Sequence, residues 1–258
     1  MTQPHKHAIL HLASIALLSI LPPLLATPAH AFRPFEGTDA QVAPPRALET
    51  ELQPVGYLRV GSERFLVTPE LVLNYGAGSG TEFVLEGKRL VLMNPEGGEP
   101  TPLIEDLGLS VKRVLRKGIL QHAKGPSIAT EGGFLLPTTE EYAGGFNAAL
   151  IATQEWQAFT LHLNGAVADT RAHNFGRFAS LIAEFAPAGW TVHPIAELAI
   201  EREGKLPISR SALGGIVWET RPGLTIDAAV RISQSDDHEI ELRSGLTWKK
   251  HVPNGPKL

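Results

Sequence analysis

The sequence predicts an all-β chain, a single transmembrane antiparallel β-barrel of twelve strands. Three observations predict it. Beyond residue 32 the chain is a succession of runs of roughly ten residues with the two-residue period of half-buried strands. Gly, Pro, Asn and Asp break these runs, so that long polar connections alternate with short turns. All four tryptophans fall at one end of the strands in the resulting up-and-down topology.

The run "LTIDAAVRIS", 224–233, poses the central question. Leu224, Ile226, Ala228, Val230 and Ile232 share one face, and Thr225, Asp227, Ala229, Arg231 and Ser233 share the other. Alternation alone does not say which face meets water. In a soluble protein the aliphatic face would lie in a core. In an outer-membrane barrel it would meet lipid, with Asp227 and Arg231 turned to a wet lumen. An arginine facing lipid near mid-bilayer costs about 2–4 kcal/mol, which an inward orientation avoids. The alternative is a secreted soluble β-sandwich or lipocalin-like barrel.

The elements follow in order. "MTQPHKH" is a short n-region with one Lys, "AILHLASIALLSILPPLLA" an apolar h-region, and Ala29-His30-Ala31 a small-x-small cleavage site. Residues 1–31 therefore read as a secretory signal peptide, cut before Phe32. Residues 32–45 form a short segment expected in the periplasm, too short for a plug domain. The barrel is assigned to 46–249, and 250–258 to a periplasmic C-terminal tail.

The twelve runs are 46–59, 64–75, 81–93, 104–116, 126–136, 145–155, 157–168, 177–186, 190–201, 210–220, 224–233 and 239–249. In the seventh, Phe159, Leu161, Leu163, Gly165 and Val167 oppose Thr160, His162, Asn164 and Ala166. In the twelfth, Ile240, Leu242, Leu246 and Trp248 oppose Glu239, Glu241, Arg243 and Thr247. In the fourth, Leu107, Leu109 and Val111 oppose Asp106, Ser110 and Lys112. The runs at 81–93 and 126–136 alternate less cleanly. An even strand number returns both chain ends to one side, as in single-chain outer-membrane barrels.

With the N-terminus periplasmic, odd-numbered connections are extracellular. Five of them are "NPEGGEPTPL", "PTTEEYAGG", "DTRAHNFGR", "EREGKLPIS" and "QSDDHE", whereas even-numbered ones include "GAGSG", "APAG" and "RPG". The first connection, around Gly61, is short for this pattern, and the fourth, 117–125, is long. Tyr75, Trp156, Trp190, Trp218 and Trp248 fall on the lower rim, the headgroup level that amphipathic rings prefer.

Composition narrows the function classes. A formal charge of −4 gives no reason to expect a nucleic-acid partner, and the absence of cysteine excludes disulfides, thiol chemistry and Cys-based zinc sites. "GAGSG", 76–80, precedes a strand-like run rather than the helix a phosphate loop needs. No cofactor motif appears, and none is expected.

Two constellations invite chemistry. In "LHLNGA", 161–166, His162 and Asn164 have the spacing of the His-x-Ser of outer-membrane lipid hydrolases, but Asn stands where the nucleophile would be. His162, Glu184, His193 and Glu197 all fall on polar faces of neighbouring runs, and three such ligands could hold zinc if the registers met. Ordinary polar lining accounts for both. No catalytic and no metal residues are assigned, and the chain is read as a non-enzyme.

The opening of the expected mature chain, "FRPFEGTDAQVAPPRALETELQPVGYLRVGSERFLVTPELVLNYG", carries an "RPF.GTDA" segment at Arg33 to Ala40. A Val-x-x-Pro step follows at Val42 and Pro45, and then an "E-x-E" at Glu49 and Glu51. With "GPSIATEGGFLLP" and "HPIAELAIERE" further on, the chain resembles the bacterial outer-membrane transporters grouped as MetA-pathway-of-phenol-degradation proteins. The resemblance implies a twelve-stranded outer-membrane barrel in a Gram-negative bacterium and says little about substrate. The chain departs from other outer-membrane barrels at its end, where "KKHVPNGPKL" follows the last aromatic residue, Trp248.

The expected lumen lining is Glu49, Glu51, Glu70, Glu131, His162, Glu184, His193, Glu197, Asp227, Arg231, Glu241 and Arg243. A densely paired lining would plug the barrel and make it structural or receptor-like; a hydrated one would give a narrow porin-like channel, and twelve strands lie between filled and open barrels. The expected partners are outer-membrane lipids and a small solute. Acidic residues outnumber basic ones on this face, which favours cations or neutral solutes.

Overall fold

A computed structural model describes residues 33–95 and 98–251. The expected signal peptide and residues 252–258 of the expected tail lie outside the described residues. The first strand, β1, has two segments, Ala47–Gln53 and Gly56–Val60, parted at Pro54 and Val55 and paired with the same two neighbours. The others are β2 Glu63–Gly78, β3 Thr81–Leu92, β4 Thr101–Arg116, β5 Ser127–Leu135 and β6 Gly145–Glu155. Then follow β7 Phe159–Asp169, β8 Phe175–Phe185, β9 Val192–Glu203, β10 Ser209–Arg221, β11 Leu224–Gln234 and β12 His238–His251. Each strand pairs antiparallel with the next, and β12 closes on β1 from Ala47 opposite His251 to Val60 opposite Glu239. The chain is a closed twelve-stranded antiparallel barrel.

Closure leaves no sheet edge, so every strand has two backbone partners. β11 answers the question of faces: Thr225, Asp227, Ala229 and Ser233 are buried, whereas Ile226, Ala228, Val230 and Ile232 are exposed. The same inversion holds around the wall, where Leu109, Leu150, Leu163, Leu198 and Leu242 point out. The interior holds many charged and hydroxyl side chains with small apolar clusters among them, unlike a soluble core.

Aromatic residues border this apolar band. Trp156, Trp190, Trp218 and Trp248 are exposed at the end that carries the short turns, the start of β1 and the end of β12. Phe185 bridges Phe159 and Trp190 there, with ring centroids 4.7 and 5.7 Å away. At the opposite rim Phe134 meets Phe146 edge-on at 6.2 Å.

β3 alternates poorly in sequence because its inner face carries Val84 and Leu90 as well as Glu82 and Glu86; the extra residue at its register shift between Glu86 and Lys88 lies on β4, between Glu105 and Gly108. Glu82, Val84 and Glu86 take the inner positions below the shift, and Leu90 joins Phe65 and Val67 in a buried inner cluster above it. Apolar residues therefore occupy both faces of one strand. β5 reads weakly for another reason. Gly133 sits on its inner face, where a Cβ would lie 2.4 Å from the Leu109 carbonyl oxygen.

The long fourth connection holds a 3-10 turn, Ile119–Gln121. It tucks Leu120 against buried Ala40, Ala129 and Ile151. Its length thus serves the interior rather than the solvent. β12 runs two residues past the expected end at 249, with Lys249 turned inward to Glu49 at 3.0 Å.

The N-terminal segment corrects an expectation. Residues 32–45 were expected outside the barrel, but the described part, from Arg33 on, lies within it: Arg33, Asp39, Ala40 and Ala43 are all buried. Its backbone N–H groups find acceptors on the polar inner wall, and that wall is what holds it inside.

Candidate functional site

The candidate site is the lumen and the segment threaded into it. The segment enters beside Gly76, whose carbonyl accepts the Arg46 N–H at 2.8 Å. Going inward, Ala43 N–H donates to Glu82 at 2.5 Å and Ala40 N–H to Thr153 Oγ1 at 3.0 Å. Thr38 N–H donates to Asn164 at 3.0 Å. The N–H groups of Gly37 and Glu36 share the two oxygens of Glu197 at 2.9 and 2.8 Å. Strands from around the wall thus supply the acceptors an extended segment needs.

Two glycines permit this approach. A Cβ on Gly37 would lie 2.4 Å from Ser180 Oγ, and one on Gly76 would lie 2.0 Å from the Pro44 carbonyl oxygen. At Gly76 the obstacle is backbone, which no rotamer clears, whereas at Gly37 it is the Ser180 and Asn164 side chains, which would have to move.

Charge fixes the inner end. The Glu36 carboxylate accepts from Arg231 Nη1 at 2.9 Å and from Arg243, which also holds Glu241 at 2.6 Å. Arg243 Nη1 donates to the Pro34 carbonyl at 2.7 Å. Burial pushes the Glu36 carboxyl up, but the guanidiniums of Arg243 and Arg231 outweigh it and hold this group, on no strand, well below the usual carboxylate range. Arg33 reaches Gln53 at 2.5 Å, Glu70 at 3.4 Å and Asp227 at 3.6 Å.

The structure places all twelve expected lining residues on inner positions. Glu49 pairs with Lys249, and Glu51 accepts from Asn74 at 2.8 Å. Glu70 and Asp227 face Arg33, and Glu131 accepts from Ser110. Glu197, Arg231, Glu241 and Arg243 hold the segment directly or through one another.

The four residues weighed as metal ligands do not converge. His162 Nε2 meets Glu184 at 2.9 Å, but His193 turns to the Trp190 carbonyl at 3.0 Å and to Glu219 at 3.9 Å. Glu197 is occupied by the segment.

His162 does have a hydroxyl partner, which sequence proximity conceals. Thr153 lies directly opposite it on β6, with Oγ1 2.9 Å from Nδ1. The set Glu184–His162–Thr153 has the connectivity of a nucleophile–base–carboxylate relay. Its hydroxyl, however, accepts the Ala40 N–H, and Thr153 and Ala40 are fully buried. The relay therefore orients the acceptor that holds the segment, and an acyl substrate has no approach to it in this arrangement.

Above the segment, toward the long connections, lies a cavity of about 400 Å³. It is lined by acidic Glu36, Glu51, Glu70, Glu82, Glu86, Asp106, Glu131 and Glu241 against basic Arg33, Lys88, Lys112, Arg171 and Arg243. Below it, the space between segment and wall shrinks to about 40 Å³, lined by Asp39, Glu49, Glu82 and Lys112 among others. The barrel is thus open to one side and constricted on the other by its own N-terminal segment.

No protein-family model and no curated protein matches the sequence. Solved structures do. The chain is similar to the COG4313 outer membrane channel from Pseudomonas putida F1, with a TM-score of 0.61 and 8% identity over 84% of this chain and 100% of that one. That likeness extends to the barrel fold. Weaker likenesses are to the CymD monoaromatic hydrocarbon channel, at TM-score 0.45 and 8% identity over 83% of this chain and 90% of that one. Another is to the β domain of the Bordetella autotransporter BrkA, at 0.43 and 13% over 79% and 99%.

Proposed function

We propose that the chain is an outer-membrane channel that passes a small solute, with the N-terminal segment setting the width of its narrow end. The observation that carries this is the pairing of an aliphatic outer wall with a charged lumen that keeps a cavity of about 400 Å³. The outer wall suits lipid, and the inner wall suits water and polar solutes. The COG4313 outer membrane channel shares the barrel fold, which favours the same reading. So does the resemblance of the "RPF.GTDA" region to MetA-pathway-of-phenol-degradation transporters.

The excess of carboxylates over cationic groups in the cavity favours cations and neutral solutes over anions. Reconstitution into planar bilayers under a salt gradient tests this. Discrete steps with a cation-selective reversal potential are expected. Anion selectivity would overturn the selectivity argument.

A second reading has its own observation. The segment is bonded on several sides, by Glu82, Thr153, Asn164, Glu197 and Arg243. A segment that never leaves makes the barrel a plugged scaffold whose working surface is the long connections, including those around Glu140 and Asp169. Silent bilayers from correctly folded protein would favour it.

A further inference from the structure

Resting on the outer-membrane reading, we propose that Arg177, Arg202 and Arg210 form a binding site for the phosphate of a phosphorylated glycolipid on the lipid-facing wall. The three residues sit on adjacent strands β8, β9 and β10 at the rim of the long connections. Arg177 is directly opposite Arg202, and Arg210 is directly opposite Ile200, one outward position from Arg202. The strand alternation directs all three outward, since their neighbours Gly176, Ser180, Ile195 and Leu213 are the buried ones.

Two arginines directly opposed on one face repel each other. Among the described residues none of the three forms an ion pair with a carboxylate. The adjacent carboxylate Glu203 is occupied on the other face by Thr170 Oγ1 at 2.6 Å and Asn174 Nδ2 at 3.2 Å. Asp169, at the same rim, faces His173 at 3.4 Å. An anion between the two guanidiniums removes the repulsion, and phosphate matches their planar donor forks.

The surroundings select a lipid as the source of that phosphate. A surface groove of about 310 Å³ runs between Arg177 and Arg202, walled by Phe178, Ala179, Ile200 and Ile208, with Glu201 also at its edge. Leu206 is exposed above it, and its carbonyl accepts Arg202 Nε at 3.2 Å, which fixes that guanidinium over the groove. Aliphatic surface below a cationic rim suits acyl chains carrying an anionic headgroup, whereas free phosphate gains nothing from the groove.

The test uses the purified full-length mature protein in detergent with bisphosphorylated lipid A as the probe, read by native mass spectrometry. One retained lipid is expected, with affinity falling about tenfold or more in Arg177→Gln/Arg202→Gln, as loss of charge-assisted bonds implies. Arg177→Lys/Arg202→Lys is expected to keep part of it. The charge-matched control Arg59→Gln/Arg64→Gln removes another directly opposed outward pair and is expected to bind as the parent does. Equal binding of dephosphorylated lipid A, competition by inorganic phosphate alone at equal concentration, or equal loss in the control would overturn the site. Heat-dependent gel mobility and bilayer conductance of the same samples report the barrel and channel separately, so failure of this site leaves that reading standing or falling on its own.

Discussion

Glu36→Gln isolates the charge clamp that holds the N-terminal segment. The substitution keeps the shape of the side chain and its surroundings but removes the negative charge that Arg231 and Arg243 share. Breaking a fully buried ion pair costs about 3–5 kcal/mol. Glu36 retains 31% of its side-chain exposure, so the lower range for hydrogen bonds to charged groups applies, about 1.5–3 kcal/mol. That raises the undocked population roughly 12- to 140-fold. The chain contains no cysteine, so one introduced thiol reports cleanly. Ala40 is 0% exposed when docked, so Ala40→Cys reacts with a bulky maleimide only when the segment leaves. The labelling rate of Ala40→Cys is expected to rise by that factor when Glu36→Gln is added. Equal rates in both backgrounds would refute the clamp.

The same clamp sets a pH dependence. The folded Glu36 carboxyl lies below its ordinary value, so its contribution is fully present above the ordinary carboxylate range and is lost progressively as pH falls from that range toward the lower folded value. Labelling of Ala40→Cys, normalised to an exposed cysteine in the same barrel because the thiolate fraction falls with pH, is expected to stay flat down to the ordinary carboxylate range and to rise as pH falls through it; a rise already near neutral pH would contradict it. On the outer wall, Val230→Arg is expected to cost about 2–4 kcal/mol in lipid-bilayer unfolding titrations, whereas a soluble core would be disrupted far more widely. Brominated lipids are expected to quench Trp156, Trp190, Trp218 and Trp248 at one headgroup depth, and a split into two depths would refute the topology.

Strand alternation made most of this fold legible. Each of the twelve runs became a strand, with ends displaced by no more than three residues. The faces of "LTIDAAVRIS" were legible because Asp227 and Arg231 cannot both face lipid cheaply. What stayed hidden depends on pairings across strands. Thr153 is nine positions from His162 but directly opposite it, and no local spacing reveals that. Lys112 was on a recognised polar face, yet its partners Asp39 and Glu82 come from a segment read as external and a strand with a register shift. The docked segment itself was concealed by its shortness, which reads as too little chain for a plug. Its fit depends on Gly37 and on acceptors from several strands at once.

The central claim is that the barrel conducts and that residues 33–45 constrict it. Single-channel recording of the mature protein beside a variant lacking residues 33–45 tests it most directly. The account expects discrete cation-preferring steps from the parent and clearly larger steps from the deletion. Folded protein, checked by heat-dependent gel mobility, that is silent in both forms would contradict it, and so would identical conductance in both.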